Sequence, residues 1–457
     1  MNPEFLRNLW LELSPRRVLL MTVLLGLAIF AAAISGGRDY LPAAVAESLY
    51  YFIVVIWGAR NAALSVVGEI RDRTWDLQRL SALGAGEMTW GKLAGSTIYN
   101  WYGGALCLAV VLVYGFAKRG PAATFIDLIY YLTIGVIAQA GAMLASLIAV
   151  RRRQRHTRFE IFLYQLAGFV AALVAFWVWE MADPAGSIIT HRPPTDFIVW
   201  WGQSFDARPF LLVSLALFGA WILVGCYREM RRELKMRNGP LVWLGFLVFM
   251  GLYVAGFDAW LSRDAQMAQW SVGTLRLLLA ASMYATLTYI MVLLEPKDRV
   301  LYRWLGSQLG HGRIVAFFAN FQAWMMSYLA AAAVTLGLIL WVGRHESSPA
   351  EAQAVIAAGL GFLTRDVGIF VLYHAFASRR RGDFGVLAIL FALYVLLPEI
   401  AKGLGLSSDL TIFFPQPTTP IWLGPAVAWG EALVIFALAF TRVALVSVPQ
   451  RTRALPA

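Results

Sequence analysis

The sequence predicts an all-α polytopic membrane protein of about 12 transmembrane helices. They form two parallel six-helix repeats related by a pseudo-two-fold axis along the membrane normal. Three observations carry this reading. The 457-residue chain is 60% hydrophobic and only 14% charged, with a mean hydropathy of +0.65, whereas soluble domains carry roughly 25% charged residues. Its apolar residues gather into runs of about 20, the length that crosses a hydrocarbon core of about 30 Å as a helix. A charged segment between two of these runs then recurs 226 residues further on. Short segments of alternating polarity, the mark of a membrane barrel, are absent from the pattern, which leaves helices as the spanning element.

Taken in chain order, residues 1–17 form an amphipathic leading helix in which Phe5, Leu6, Leu9, Trp10 and Leu13 recur at helical spacing between Glu4, Arg7, Asn8 and Glu12. Such a segment is expected to lie in the headgroup plane. The first six-helix repeat occupies 18–228, with apolar runs at 18–36, 43–67, 97–117, 123–150, 160–180 and 209–227. Ala31 to Ala33 end the first run in the small-residue style of a signal peptide, but that run has a counterpart in the repeat and is read as a retained span. The longest outer loop, Met181 to Arg208, holds His191, Pro193, Pro194, Trp200 and Trp201. A polar linker at 229–239 leads into the second repeat, 240–447, with runs at 240–260, 271–294, 315–342, 350–376, 385–402 and 419–447, followed by a tail at 448–457.

Most of the 38 Lys and Arg residues fall on the side of the N-terminus. The positive-inside rule therefore places both termini in the cytoplasm. The pair Lys118–Arg119 is the main local exception. The net charge of +11 is accounted for by these loops and does not call for nucleic acid. Cys107 and Cys226 lie in or beside apolar runs, which argues against a disulfide framework or a thiolate metal site.

The recurring segment aligns residues 69–86 with 295–312. Identities are Glu69/Glu295, Asp72/Asp298, Arg73/Arg299, Ser81/Ser307, Leu83/Leu309, Gly84/Gly310 and Gly86/Gly312, and Arg71/Lys297 is conservative. The apolar runs superpose at the same offset. Arg151 to Arg153 are answered by Arg379 to Arg381 with a slip of two residues. Six spans per half make the repeat parallel, which places a substrate path near the pseudo-two-fold axis.

The string GEIRDRTWDLQRLSALGAGEMTWGKLAG, set directly between the second and third spans, resembles the signature of ABC-2 type permeases, the membrane subunits of ATP-driven exporters. The matching positions are Glu69, Thr74, Trp75, Leu77, Leu80, Leu83, Glu87, Gly91 and Lys92, while Ala82 stands where the family usually has proline. The resemblance implies a cytoplasmic helix pair that docks on a separate ATP-binding subunit, working as a dimer. Glu69, Arg71, Asp72, Arg73, Thr74, Trp75, Gly91 and Lys92 would then couple it to the spans, and by duplication so would Glu295, Asp298 and Arg299. It also implies an exporter of a bacterial cytoplasmic membrane that is not itself an enzyme, with ATP and Mg²⁺ held by the partner. A buried Trp75 would suit the centre of such an interface. In the second copy Thr74 and Trp75 become Val300 and Leu301, and Gly91–Lys92 become Phe317–Phe318, which weakens its docking role.

Gly86 to Lys92 also has the GxxxxGK spacing of a phosphate-binding loop. Leu93 occupies the position that needs Ser or Thr for Mg²⁺, and a membrane span follows, so the motif is rejected. Ionisable residues inside spans are expensive and mark a partner or a purpose. Those expected here are Arg60, Asp127, Arg276, Arg365, Asp366, His374, Glu399 and Glu431. Arg365 and Asp366 sit deepest. Neighbours on a helix diverge by about 100°, so each is expected to pair with another span, Arg365 with Glu431 or Glu399. Asp127, Arg276, Glu399 and Arg60 are expected to be interfacial. His374 lacks a second ligand at helical spacing and is not read as a metal site. Two other classes stay open: a polytopic lipid or sugar transferase, using outer-loop residues such as His191, Asp183, Asp196 and Asp206, and an ion-coupled carrier using Arg365, Asp366 and Glu431.

Overall fold

The computed structural model describes residues 2–35, 40–81, 83–151, 158–180, 197–236, 238–257, 270–295, 297, 299–346, 349–376, 382–404 and 413–445. Among them, eleven helices are long and apolar enough to cross a membrane. The chain is an all-α polytopic membrane protein; the strands among the described residues are the two of a small hairpin, β1 (Phe197–Trp200) and β2 (Gln203–Asp206). It divides into two compact units, Met1–Ile198 with Ser204–Asn238, and Val199–Gln203 with Gly239–Ala457. The Arg151–Arg153 and Arg379–Arg381 clusters, His191, Asp183, Asp196, Asp298 and the tail 448–457 lie in part or wholly outside the described residues.

In the first unit, α1 (Pro3–Glu12) precedes the first span, α2 (Pro15–Ile34). Asn2 caps α1, its Oδ1 accepting from Glu4 N at 3.0 Å and Phe5 N at 3.4 Å, and Pro3 supplies a preset φ at the first helical position. The second span is one continuous run, Leu41–Arg71, composed of α3 (Leu41–Tyr50), a π-helical stretch (Tyr51–Trp57) and α4 (Gly58–Arg71). After the single turn α5 (Trp75–Arg79), α6 (Ala85–Arg119) runs for 35 residues. At 1.5 Å per residue it is about 52 Å long, well beyond a hydrocarbon core of about 30 Å. Its first turns therefore project from the bilayer, and what the sequence suggested was a separate second helix of the insert is the start of the third span. The unit is completed by α7 (Pro121–Arg151), α8 (Arg158–Glu180) and α9 (Ala207–Glu233).

Small residues set the closest helix approaches, as expected where lipid gives no hydrophobic drive for association. A Cβ on Gly168 of α8 would lie 2.2 Å from the backbone oxygen of Ala138 and 2.8 Å from the Cβ of Ala142 on α7. Backbone cannot yield as a flexible side chain does. Gly168→Ala is expected to cost about 1–3 kcal/mol by overpacking, read as a lower thermal midpoint in detergent. An unchanged midpoint would show that α7 and α8 are free to separate.

The π-helical stretch is tied down by amides from three other spans. Asn100 Nδ2 donates to Ile53 O at 2.9 Å, Gln139 Nε2 to Val54 O at 3.1 Å and Gln165 Nε2 to Ile56 O at 3.1 Å. Asn61 Nδ2 donates to Asn100 Oδ1, and Trp101 Nε1 to Gln139 Oε1, each at 2.9 Å. Inside hydrocarbon every such polar group needs an internal partner, and the wider π turn is stable here because those partners converge on it. Nearer the other end of the span, Tyr50 donates to Tyr131 O and Tyr131 to Glu47, both at 2.5 Å.

The second unit holds α10 (Leu241–Ala255), α11 (Val272–Leu294), α12 (Arg299–Gly310), α13 (Ile314–Ala319), α14 (Ala323–His345) and α15 (Pro349–Phe376). It ends with a continuous helical span made of α16 (Gly382–Phe391), a π turn (Ala392–Leu396) and α17 (Leu397–Gly403), and with α18 (Leu423–Leu445). Two expected runs differ. The run at 240–260 gives a described helix of 15 residues, short of a full crossing. The run at 315–342 is divided, because α13 ends at Ala319 and the membrane helix starts only at Ala323. Continuous hydrophobicity hid both features, since a break between apolar helices needs no polar residue.

Candidate functional site

Leading helix, second span, turn α5 and third span meet at one buried lysine. Lys92, on the second full turn of α6, has a side chain 1% exposed. Its Nζ lies 3.2 Å from Glu4 Oε1 of α1 and bonds Glu69 Oε2 at the end of α4. The other oxygen of Glu69 accepts from Arg7 at 2.8 Å and from Gln78 of α5 at 2.5 Å. Two cations and two carboxylates thus close a neutral group, the condition under which charges can be buried without large cost. Beneath it lies Trp75, with Lys92 Nζ 5.4 Å from its ring centroid.

Two glycines one turn apart on α6 admit the leading helix. A Cβ on Gly91 would stand 2.8 Å from Glu4 Cβ, and one on Gly95 would stand 2.8 Å from Asn8 Cβ. Asn2 Nδ2 donates to Glu87 O at 2.6 Å and Asn8 Nδ2 to Gly91 O at 3.4 Å. Helix α1 therefore turns Glu4 and Asn8 toward the protein and leaves Trp10 and Leu11 exposed. It is amphipathic as expected, but its polar face is an attachment surface and not a solvated one. The i, i+4 pair Glu4/Asn8 and the spacing Gly91/Gly95 were visible signals of this docking.

The remaining residues of the insert fall into two groups. Thr74 holds the corner, its N and Oγ1 both donating to Glu69 O at 2.9 and 3.2 Å, and Arg73 adopts a left-handed φ of 61°. Trp75 is 5% exposed and belongs to an apolar core cluster with Val66, Met88, Leu93, Met143 and Met230 of its own unit, so it is a core residue. Arg71, Asp72, Arg73, Asp76, Leu77 and Leu80 are exposed, Leu80 at 84%. The stretch Gly86–Lys92 lies wholly within α6, a continuous helix with no loop to cradle a phosphate.

In the second unit Glu295, which the sequence aligns with Glu69, is buried where Glu69 is half-buried, and it has a different contact. Its Oε2 accepts from Trp324 N at 3.2 Å, at the start of α14, where the helix dipole favours a carboxylate. Phe318 stands 226 residues after Lys92, so the lysine of the first unit's group has no counterpart at that position. Arg299 is the first residue of α12.

The deepest intramembrane charges form a second group. Arg365 is 2% exposed. Its Nη1 reaches Glu431 Oε2 at 2.8 Å, as the sequence suggested, and Glu399 instead bonds Lys402. The expectation that Arg365 and Asp366 diverge is corrected: Arg365 Nε lies 3.0 Å from Asp366 Oδ1. The long arginine stem bends back around its own helix, and that reach overrides the 100° between Cβ directions. Tyr289 and Tyr394 donate to Asp366 Oδ2 at 2.7 and 2.6 Å, and the guanidinium sits 4.6 Å from the Phe362 ring centroid. Neither tyrosine was singled out by sequence, because a lone tyrosine in a span is unremarkable until its hydroxyl's partner is known. Asp127, expected to be interfacial, is buried and lies 3.0 Å from Arg119 and 3.9 Å from Arg208, an ion-pair group that links α6, α7 and α9. Arg276 stacks over Trp201, 4.8 Å from its centroid. His374 Nδ1 lies 2.8 Å from Phe370 O.

Comparison of the chain with family models, with curated proteins and with solved structures finds no match.

Proposed function

We propose that this chain is the transmembrane permease subunit of an ATP-driven ABC-type exporter, coupled through residues 69–92 to a separate, dimeric ATP-binding subunit. The observation that carries the reading is the buried Lys92–Glu69–Glu4 group, which joins α1, the end of the second span, α5 and the start of the third span. A push on α5 cannot be absorbed by a loose loop. It must move helices on both sides, which is what coupling to nucleotide closure requires. The exposed Leu77 and Leu80, flanked by Arg71, Asp72, Arg73 and Asp76, offer an apolar centre with a charged rim of both signs, the composition of a protein interface. In this reading the chain carries two parallel six-helix repeats related along the membrane normal, has both termini in the cytoplasm and lies in a bacterial cytoplasmic membrane.

The test is co-purification of a Walker-type ATPase encoded beside this chain. Leu80→Asp and Arg73→Glu, both at exposed positions, are expected to abolish or strongly reduce the association while leaving the protein monodisperse. Association that survives both variants would remove residues 69–92 from the interface.

A second reading, an ion-coupled carrier, is favoured by the Arg365–Asp366–Glu431 group with Tyr289 and Tyr394. Substrate flux into proteoliposomes containing only this chain, driven by an ion gradient without ATP, would establish that reading against the first.

A further inference from the structure

We propose that the second unit's counterpart of the docking segment, residues 299–321, is a membrane-surface anchor that binds anionic lipid headgroups and inserts apolar side chains between them. The inference needs only the membrane-protein fold and does not depend on an ATPase partner. The segment contains Arg299, Arg303 and Arg313 and no Asp or Glu. Arg303 and Arg313 are exposed. Inward, α12 is held by Leu305, which is buried, and by Tyr302, whose ring packs edge-on to Trp324. After α12 the chain reverses at Gly312, which takes a left-handed φ of 68°, and enters α13.

Helix α13 presents Ile314, Val315 and Phe318 to the outside, Val315 at 83% exposure. Positions i, i+1 and i+4 share one helical face, so the three form a single apolar patch directly after Arg313. A basic rim beside an inserted apolar face is the pattern of interfacial helices, and it complements an anionic bilayer surface. The first unit differs at the matching place. There the exposed charges are of both signs, with Asp72 and Asp76 beside Arg71 and Arg73, a mixture that an anionic leaflet would partly repel and a protein partner could match.

The experiment uses the full chain in nanodiscs, with Cys107→Ala and Cys226→Ala removing the native thiols. An environment-sensitive fluorophore is attached at Val315→Cys or, for comparison, at Leu80→Cys. Bilayers are phosphatidylcholine alone or phosphatidylcholine mixed with phosphatidylglycerol, each with nitroxide-labelled lipid as quencher. The label at 315 is expected to be quenched several-fold more than the label at 80, and more strongly with phosphatidylglycerol present. Arg303→Glu with Arg313→Glu should abolish the phosphatidylglycerol effect, while Arg303→Gln with Arg313→Gln should reduce it. A label at 315 that stays in water in both bilayers would overturn the proposal. So would quenching indifferent to lipid charge, or shielding that appears only when soluble protein is added, which would assign the face to a protein partner.

Discussion

Lys92→Met is expected to destabilise the first unit by about 3–5 kcal/mol, the cost of breaking a buried ion pair by removing one partner. The substitution keeps the length and apolar stem of the side chain, so packing on Trp75 is nearly conserved and the loss reports the charge. Glu4 and Glu69 would then face each other, with Arg7 as the remaining cation. The side chain of Arg7 is half exposed and compensates only in part, because solvent screens it. Thermal unfolding in detergent should show the drop. Adding Glu4→Gln and Glu69→Gln to Lys92→Met should recover most of it, since an uncharged cluster has no desolvation debt. A single variant that melts with the parent protein would mean that the cluster does not hold α1 and the insert together.

Arg365→Met should have an effect of similar size in the second unit, again about 3–5 kcal/mol, because it leaves Asp366 fully buried without the cation beside it. Two hydroxyls continue to donate to Asp366, from Tyr289 and Tyr394. They satisfy its lone pairs but supply no net charge. Arg365→Met combined with Asp366→Asn is therefore expected to regain much of the stability, whereas Arg365→Lys is expected to regain little, since a single ammonium cannot reach both Asp366 and Glu431 as the planar fork does. Yield of monodisperse protein and the thermal midpoint are the readouts. Full stability in Arg365→Met would show that the group is hydrated and that its charges are not structural.

The expectations that held rest on length and periodicity. A run of 20 apolar residues has one low-energy outcome in a bilayer, and most span limits fell within a few residues of the structure. The insert at 69–92 stood out because charge between two greasy runs is costly to leave without purpose. Its interior was misjudged where local pattern and three-dimensional context disagree. Trp75 among charges reads as a docking anchor, whereas it is buried in an apolar cluster drawn from α4, α6, α7 and α9, up to 155 residues away along the chain. Arg365 beside Asp366 reads as two outward-diverging groups because sequence reports Cβ directions and not the reach of a guanidinium. The amides Asn100, Gln139 and Gln165 carried no pattern at all, since they come from three different spans and gain meaning only by meeting the carbonyls of one π turn.

By itself the sequence determined that this protein is a bundle of membrane helices, because burial in lipid depends on composition summed along each helix. Only the tertiary structure decided which charges neutralise one another, that Lys92 bridges Glu4 and Glu69, that Glu295 meets a helix start instead, and that Asp366 shares Arg365 with Glu431. Pairing energies fall off over a few ångströms, and separations that small are set by how helices pack and not by where residues stand along the chain.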